Sequence, residues 1–283
     1  MKGKSCVVVG TGSRAHMYVQ YLARTGPEFG HRLAGLCDIN PGRMELYNRL
    51  LEKEFDHPAA PTAGPDEFET LLADTGADTV IVVSIDRTHD DFICRAMEAG
   101  CDVITEKPLT TTAEKCRRIL ATRERTGRNL IVTFNYRYAP RNSRIKEILM
   151  SGAIGEVKSI HFEWLLDTKH GADYFRRWHR DKRNSGGLLV HKSTHHFDLV
   201  NWWTGASPVE VMAMGDLVFY GRANAEARGV RTFYQRGTGS DAAKDDPFAL
   251  RMERGTDTGD LAEMYLEQEA YDGYQRDQSV FGD

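Results

Sequence analysis

The stretch "VVVGTGSRA", residues 7–15, decides the fold of this 283-residue chain. Its β-branched residues predict a buried strand, and the GxGxxA turn that follows opens a helix. Gly10 permits the tight turn, Gly12 lets the backbone approach a diphosphate, and the small Ala15 lets the helix pack close to the strand. Free N–H groups at a helix start attract phosphate oxygens. The stretch therefore predicts a dinucleotide-binding turn, with Ser13 and Arg14 beside the cofactor.

Short β-branched runs alternate with helical patterns up to residue 134. Near-continuous apolar strands with helices between them are typical of a parallel, doubly wound sheet that is covered on both faces. The predicted class is therefore α/β, with a dinucleotide-binding Rossmann domain in residues 1–134. The predicted strands are "SCVVVG", "LAGLCD", "DTVIVVS", "CDVIT" and "NLIVTF".

The pattern changes from residue 135 onward. The segment "VKSIHFEWLL", residues 157–166, alternates like a half-exposed antiparallel strand. Residues 135–283 are therefore predicted to form an α+β domain with an open, mainly antiparallel sheet, which binds substrate and mediates oligomerisation. The chain stops at "YDGYQRDQSVFGD" without a closing helix or strand, and a sheet begun near residue 157 needs further strands to cover its face. We therefore expect this domain to be truncated at its C-terminus.

The composition excludes several kinds of partner. With 41% hydrophobic residues, 28% charged residues and a net charge of -4, nothing indicates a nucleic-acid partner. No apolar run approaches the ~18 residues that span a bilayer, and no leader segment precedes the first strand, so no membrane is expected. The five cysteines form an odd set without CxxC spacing, which predicts buried free thiols and a cytoplasmic location.

Asp38 ends the second predicted strand, where the fingerprint places an acidic side chain that binds a ribose 2′-hydroxyl. A carboxylate repels a 2′-phosphate, so the predicted cofactor is NAD, with NADP disfavoured. Arg43, five residues later, could soften that preference. The alternative interpretation of the motif is a tight turn with a solvent-facing aspartate.

Several motifs then follow in a fixed order: "SIDRTHDDF" (84–92), "TEKPLTTT" (105–112), "NYRYAP" (135–140) and a helix that begins after two glycines. Together with the N-terminal turn, this order resembles the Gfo/Idh/MocA oxidoreductase family along most of the chain. The resemblance implies a Rossmann domain followed by an open-sheet domain, and NAD(P)-dependent dehydrogenation or reduction of sugars or polyols.

The resemblance also implies the residues around the nicotinamide. Lys107 is the lysine of the EKP tripeptide, which begins at Glu106, and the Lys107–Pro108 bond is expected to be cis. A fixed ammonium at the end of a parallel strand can polarise a hydroxyl or stabilise a developing alkoxide. The alternative is a surface lysine in a proline turn. By the same resemblance, three further residues border the cofactor, although His89 could equally be a helix residue packed beside Asp90. These residues are Ser84, His89 and Asn135.

"GGLLVHKSTHHFDLVNWW", residues 186–203, is predicted to be one helix with His191 and His195 on one face. Most relatives carry an aspartate at the first position and a histidine four residues later, so His191 is a departure from the family pattern, as is Ser193 where glycine is usual. His195 is the predicted general base, while His191 orients substrate or shares the proton. Helix position and nearby cations should keep both imidazoles neutral. The alternative is a pair of structural histidines.

His191 and His195 could also form a metal site, because histidines four residues apart on a helix can share one ion. The glutamate of HExxH is absent and hydride chemistry needs no metal, so none is predicted. Third ligands would have to come from His161, His170 or His179. The loop "YFRRWHR", residues 174–180, instead suits a sugar, whose C–H face stacks on aromatic rings. The predicted substrate-binding residues are Arg137, Trp178, His179 and Lys192.

The sequence therefore predicts an NAD-dependent oxidoreductase that acts on a CH–OH group of a sugar, cyclitol or sugar derivative. Three alternatives stay open: an NAD-assisted glycoside hydrolase with transient oxidation, a non-catalytic NAD-bound sugar sensor, and an inactive fragment that cannot complete its second domain. A homo-oligomer, dimer or tetramer, is expected through the open sheet face, because that face must be covered.

Overall fold

The computed structural model describes residues 3–250, 252, 262–266, 269 and 275–281. Its centre is a six-stranded sheet in the order β3-β2-β1-β4-β5-β6, and all five pairs of neighbouring strands are parallel. The strands are β1 Ser5–Val9, β2 Arg32–Cys37, β3 Thr62–Ala63, β4 Thr79–Val82, β5 Asp102–Glu106 and β6 Leu130–Thr133. This is the strand order of the predicted dinucleotide-binding fold. The two-residue β3 was not predicted, because a run so short leaves no periodic signal.

Helices connect the strands and continue the chain after the sheet. The α-helices are α1 Ala15–Arg24, α2 Pro41–Glu54, α3 Phe68–Thr75, α4 His89–Glu98, α5 Ala113–Thr126, α6 Pro140–Met150, α7 Thr168–Ala172, α8 Lys182–Ser185, α9 Leu188–His191, α10 Thr194–Thr204 and α11 Arg222–Ala227. Shorter 3₁₀ segments are Gly26–Phe29, Pro65–Glu67, Asp86–Thr88, Asn135–Tyr138, Asp173–Phe175, Arg177–Arg180 and Asp241–Ala243, and a π-helical turn covers Ala262–Leu266.

The central strands of the sheet are buried on both faces, as their apolar residues predict, whereas the edge strand β6 is partly exposed. All five residues of β1 are buried. Val7 packs on one face with Ile93 of α4, and Val8 packs on the opposite face with Tyr47 of α2. Full burial of a side chain of this kind contributes about 1.5–3 kcal/mol. Two cores thus hold the sheet rigid, so the loops at its edge have fixed starting points.

The carboxyl ends of all the strands lie at one edge of the sheet, because every strand is parallel. β1 and β4 are central, and the connections leave them in opposite directions. In such sheets ligands bind in the crevice at this point, where the strand order reverses. The glycine turn after β1, Asp38 after β2, Ser84 after β4 and Lys107 after β5 are therefore brought together.

The antiparallel sheet predicted after residue 135 is not seen in the part of the chain that the structure describes. Residues 157–166, predicted as a strand, have no strand partner there, and a strand forms only where a neighbour supplies its backbone hydrogen bonds. Helices α6 to α11 and long loops make up this half, apart from one isolated antiparallel bridge between Arg236 and Gln278.

The five cysteines are free thiols, as predicted: four are buried and Cys116 is half-buried. Burial raises the pKa of Cys6 to about 11, so this thiol is inert near neutral pH. Among the described residues, none of the helices combines the length and the apolar character that crossing a membrane requires.

Candidate active site

The glycine turn has the shape that a diphosphate requires. Gly10 has a φ of +94°, and a Cβ at this position would lie 2.6 Å from the backbone nitrogen of Ser84, so only glycine fits between β1 and β4. At Gly12 the nearest atom to such a Cβ is the hydroxyl oxygen of Tyr265, at 4.0 Å. Open space above Gly12 is what lets a diphosphate approach the backbone. The turn therefore fits the predicted dinucleotide.

Asp38 is fixed beside this turn by hydrogen bonds to both of its oxygens. Its Oδ2 accepts from the backbone N–H and from the hydroxyl of Thr11, the latter at 2.8 Å, and its Oδ1 accepts from the Asn40 N–H at 2.9 Å. Its Oδ1 retains one lone pair, and Asp38 lines the cavity that begins at Gly10 and Gly12. The carboxylate is thus placed to accept from a ribose hydroxyl.

A segment from the far end of the chain packs against the same turn. The Ser13 N–H donates to the Tyr265 hydroxyl at 3.2 Å, and Arg43 Nε donates to the Met264 carbonyl at 3.0 Å. The guanidinium of Arg43 also lies 5.0 Å from the ring centroid of Tyr265. Arg43, which the sequence offered as a possible phosphate contact, is therefore engaged by residues 262–266.

Lys107 and Glu106 stand at the end of β5, and the Lys107–Pro108 bond is cis, as expected. Glu106 Oε1 accepts from the Tyr18 hydroxyl at 3.0 Å and lies 3.5 Å from Arg14 Nε. Lys107 Nζ donates to the His191 carbonyl at 3.1 Å and lies 3.3 Å from His191 Nε2. Burial lowers the pKa of Lys107 to about 8, against the attraction of nearby carboxylates. This ammonium is therefore close to losing its proton at neutral pH.

His191 continues the contact to a third buried group, Asp86. Its Nδ1 lies 2.5 Å from Asp86 Oδ2, and both side chains are less than a tenth exposed. Burial raises the pKa of Asp86 to about 7, while burial and the charge of Lys107 lower the pKa of His191 to about 2. The imidazole is thus neutral, as predicted. We assign its proton to Nδ1, which donates to Asp86, because Nε2 faces the Lys107 ammonium.

The segment that contains both histidines is not one continuous helix, as the sequence predicted, but the two helices α9 and α10. The His195 N–H bonds to the carbonyl of Lys192 instead of that of His191. A helix end leaves carbonyls without intrahelical partners. The carbonyl of His191 is one of these, and it accepts from Lys107. The break therefore creates the acceptor that holds the lysine.

His195 lies beside this network with its ring stacked on Tyr136, at 4.0 Å between centroids and 7° between planes. The side chain is buried, and its Nδ1 has no hydrogen-bond partner among the described residues. Burial and the charge of Lys107 lower its pKa to about 3. This second imidazole is therefore neutral too, so its ring carries a single N–H.

These side chains line one cleft of about 690 Å³. It shares Ser13, Arg14 and Ser84 with the cavity at the glycine turn, so cofactor and substrate regions are continuous. The predicted site residues that line the cleft are Ser13, Arg14, Ser84, His89, Glu106, Lys107, Asn135, Trp178, His179, His191, Lys192 and His195.

His89 supports the site through both ring nitrogens. Its Nδ1 lies 2.9 Å from the Pro108 carbonyl and its Nε2 lies 3.1 Å from the Ser84 carbonyl, and the side chain is fully buried. It thus ties the loop after β4 to the Lys107–Pro108 turn. Asp90, the alternative neighbour, pairs instead with Lys115 at 2.7 Å.

The four predicted substrate-binding residues are not all at the cleft. Trp178 makes a T-shaped contact with the His191 ring, at 5.5 Å between centroids, and the His179 ring is tilted by 47° against it at 4.4 Å. Arg137 is elsewhere, because its guanidinium forms a two-point ion pair with Asp198 and does not line the cleft. The prediction that Arg137 binds substrate is therefore corrected, because its guanidinium is already paired with the carboxylate of Asp198 on α10.

Sequence reasoning missed Asp86, Tyr136 and Tyr265. Asp86 could have been found, because it follows β4 as Lys107 follows the neighbouring β5, and carboxyl ends of adjacent parallel strands meet. Tyr136 follows the predicted Asn135 directly. Tyr265 carried no usable signal, since it comes from more than 200 residues away in sequence.

The side chains of His191 and His195 are oriented toward different partners, which does not support a metal ion shared between them. His191 faces Asp86 and Lys107, whereas His195 stacks on Tyr136. Across the described residues, no group of three or more His, Cys, Asp or Glu side chains is placed to hold a metal ion.

The sequence was compared with known proteins. The profile of the Gfo/Idh/MocA oxidoreductase family for its NAD-binding Rossmann fold matches residues 4–134, and the profile for its C-terminal alpha/beta domain matches residues 146–267. These matches agree with the predicted resemblance and fold class.

Individual relatives point to the same group. YteT of Bacillus subtilis, an oxidoreductase by name, is 41% identical over 220 residues, which cover 77% of this chain and 50% of the relative. Inositol 2-dehydrogenase 2 of Saccharopolyspora erythraea is 32% identical over 207 residues, which cover 73% of this chain and 55% of the relative. The chain thus spans about half the length of these curated relatives.

A solved structure has the same fold. The crystal structure of scyllo-inositol dehydrogenase from Lactobacillus casei, with bound NAD(H) and scyllo-inositol, superposes with a TM-score of 0.57 at 20% identity. The match covers 72% of this chain and 57% of that one. At this identity the likeness speaks for the fold alone.

Proposed function

Because the chain belongs to the Gfo/Idh/MocA oxidoreductase family and contains its NAD-binding Rossmann domain, we propose that it is an NAD-dependent dehydrogenase acting on a CH–OH group of a sugar, cyclitol or sugar derivative. One observation carries the proposal: the contact chain Lys107–His191–Asp86 lies beside neutral His195 in a cleft continuous with the glycine turn. A sensor would need the turn but not a buried proton-handling network.

The cofactor is held by the edge of the sheet. Gly10 and Gly12 form the diphosphate turn, and Asp38 accepts from the adenosine ribose. Further along the cleft, the nicotinamide end borders Ser13, Arg14, Ser84, His89, Glu106, Lys107 and Asn135. Bound NAD supplies the hydride acceptor, and the protein supplies position and charge. Asp38 favours NAD over NADP, because its carboxylate repels a 2′-phosphate.

Two groups in the cleft can receive the hydroxyl proton. His195 is the base that the sequence predicted, but a pKa of about 3 makes an imidazolium costly there. Lys107, with a pKa of about 8, is better matched to neutral solution. We therefore assign the proton to Lys107, and we assign to His195 a hydrogen bond from its ring N–H to the substrate oxygen.

Lys107 can become a free amine without any proton leaving the protein. One proton moves from Nζ to His191 Nε2, and the Nδ1 proton of His191 moves to Asp86 Oδ2. Burial lowers the pKa of Lys107 and raises the pKa of Asp86, so the two values move toward each other and the proton can pass between the two end groups. The free amine then takes the hydroxyl proton as the hydride leaves the carbinol carbon. Lys107 then releases one proton through the cleft to solvent, and the relay runs back, which restores the proton on His191 Nδ1 and the carboxylate of Asp86.

We also propose a division at residue 134, with residues 1–134 as the dinucleotide-binding domain and 135–283 as the substrate and oligomerisation domain. The sheet ends at Thr133, and the second wall of the cleft comes from residues 170–195. Trp178 and His179 on that wall supply aromatic surface for the C–H face of a sugar.

The proposal is tested with a panel of sugars, polyols and glycosides, in which NADH absorbance and glycosidic release are followed together in the same samples. NADH formation without release supports a dehydrogenase. Release without net NADH formation identifies the NAD-assisted hydrolase instead. Binding of NAD and sugar with neither signal identifies a sensor.

A further inference from the structure

Lys192 is a buried cation in the wall of the cleft, with only 7% of its surface exposed. Its Nζ donates to the Tyr136 hydroxyl at 2.8 Å and lies 5.1 and 5.8 Å from the ring centroids of Tyr136 and Tyr174. An ammonium carries three N–H donors. The rings of Tyr136 and Tyr174 carry no formal negative charge that could neutralise this ammonium.

The carboxylates of the cleft are already engaged with other groups. Each of the three has its own partner: Asp86 pairs with His191, Asp173 with Arg177, and Glu106 with Arg14. Within the described parts of the chain, Lys192 therefore has no carboxylate partner. A buried charge is costly without a counter-charge, so a site of this kind is completed by an anion.

The position of Lys192 is that of a substrate contact. It follows His191 directly in the sequence, and Tyr136, which accepts its hydrogen bond, stacks on His195. An anion held by Lys192 would therefore belong to a molecule that also reaches His195. One unmatched ammonium balances a single negative charge, which favours a carboxylate over a doubly charged phosphate ester.

We propose that the substrate is an acidic sugar, a uronic or aldonic acid, whose carboxylate pairs with Lys192 while a separate CH–OH group reaches Lys107 and His195. This inference rests on the proposed dehydrogenase function and names its substrate class. The carboxylate binds and does not react, so the redox balance stays that of alcohol oxidation by NAD.

Matched pairs of neutral and acidic sugars test the proposal with the full chain. D-Glucose and D-glucuronate form one pair, and D-galactose and D-galacturonate form the other. We expect kcat/KM to be at least about 10-fold higher for the acid, since a hydrogen bond to a charged group contributes that much. Lys192→Met should raise KM for the acid about 10- to 100-fold more than it raises KM for the neutral sugar. Lys192→Arg, which keeps the charge, should retain the preference.

Lys169→Met is the matched control, because Lys169 is an exposed lysine on α7 outside the cleft. Binding of the same sugars in the presence of NAD, measured by calorimetry, adds a readout that needs no turnover. If the acidic sugars bind in a way that depends on Lys192 but are not oxidised, the carboxylate site at Lys192 is supported and the dehydrogenase function is rejected. Oxidation with no acid preference, or equal loss for both sugars in Lys192→Met, would overturn the inference and leave the dehydrogenase standing. Absence of both binding and oxidation would reject both.

Discussion

His191 occupies the position where the family pattern has an aspartate, and Asp86 brings a carboxylate to the site from the other side. The carboxylate comes from the loop after β4 instead of the helix after the paired glycines, and it reaches Lys107 only through the imidazole. Such an exchange preserves the charge of the site while inserting a group that can pass a proton in either direction. The sequence shows the departure at His191 but not what compensates for it.

Asp86→Asn should leave binding intact and damage turnover. The amide has nearly the same shape, but its NH₂ can donate to His191 Nδ1, which places the imidazole proton on Nε2 against Lys107. By analogy with other carboxylate–histidine pairs, kcat should fall about 10²- to 10⁴-fold. Steady-state kinetics, together with the Kd of NAD, measures both quantities.

Asp91→Asn is the control for this change, because Asp91 is a half-exposed residue of α4 that pairs with Arg95. It should behave like the wild type. A loss of NAD binding in Asp86→Asn would show a structural role, and an unchanged kcat would remove Asp86 from the proton path.

His195→Phe should reduce the acid sensitivity of the fold. Phenylalanine preserves the stacking on Tyr136, but it cannot titrate. In the folded protein the pKa of His195 is lowered to about 3, whereas an unfolded histidine has a pKa of about 6.5. The unfolded state therefore binds a proton between these values that the folded state rejects, so stability is lost as pH falls below about 6.5. At pH 5 this loss is up to about 2 kcal/mol for one histidine.

Urea unfolding at pH 7 and pH 5 measures this difference. The wild type should lose more unfolding free energy than His195→Phe over that interval. Equal losses would mean that the imidazole is protonated in the folded protein, contrary to its burial. The same variant should also turn over more slowly, since the substrate oxygen loses a hydrogen-bond donor.

At the scale of the element, the two glycines in the turn between β1 and α1 have different roles. We expect Gly10 to be needed for stability and Gly12 for cofactor binding. Gly10→Ala puts a Cβ 2.6 Å from the Ser84 nitrogen at a φ of +94°, so it should lower the free energy of unfolding by about 1–3 kcal/mol. Gly12→Ala meets nothing nearer than 4.0 Å, so stability should be unchanged. Its methyl group instead occupies the space for the diphosphate, and the Kd of NAD should rise at least about tenfold, or ~1.4 kcal/mol.

Thermal unfolding and NAD titration of both variants check the pair. Equal destabilisation by the two substitutions would contradict the geometry of the turn. Unchanged NAD binding in Gly12→Ala would place the diphosphate elsewhere.

The same turn shows how far an element can be predicted from sequence. Glycine spacing, the strand before it and Asp38 after the next strand depend on local backbone rules, so they were predicted correctly. The break between α9 and α10 was not, because "GGLLVHKSTHH" has the composition of a continuous helix. The break occurs together with a tertiary contact, the hydrogen bond from Lys107 to the carbonyl of His191, and the two residues lie 84 positions apart in the chain. Arg137 was misplaced for the same reason, since its partner Asp198 lies 61 residues further along the chain.

At the scale of the whole molecule, alternating strands and helices were enough to predict the Rossmann half, because its contacts join neighbouring βα units. The second half was predicted less well. A half-exposed pattern such as "VKSIHFEWLL" shows which face could be buried but not what covers it. In the described structure these residues have no strand partner, and all ten of them are exposed or half-buried.

The exposed apolar side chains of this half support the proposed homo-oligomer. Val211 and Met214 are 76% and 90% exposed, and Val209, Met212 and Val218 nearby are equally open. Contiguous exposed apolar surface is unusual on a monomer, and a second copy offers the matching surface by symmetry. We expect light scattering to give the mass of a dimer or tetramer. Val211→Glu with Met214→Glu should yield monomers, because a buried carboxylate pair would repel its symmetry mates. Leu120→Glu, which adds one carboxylate at an exposed position of α5, should leave the mass unchanged. A monomeric wild type would contradict the assignment of this surface.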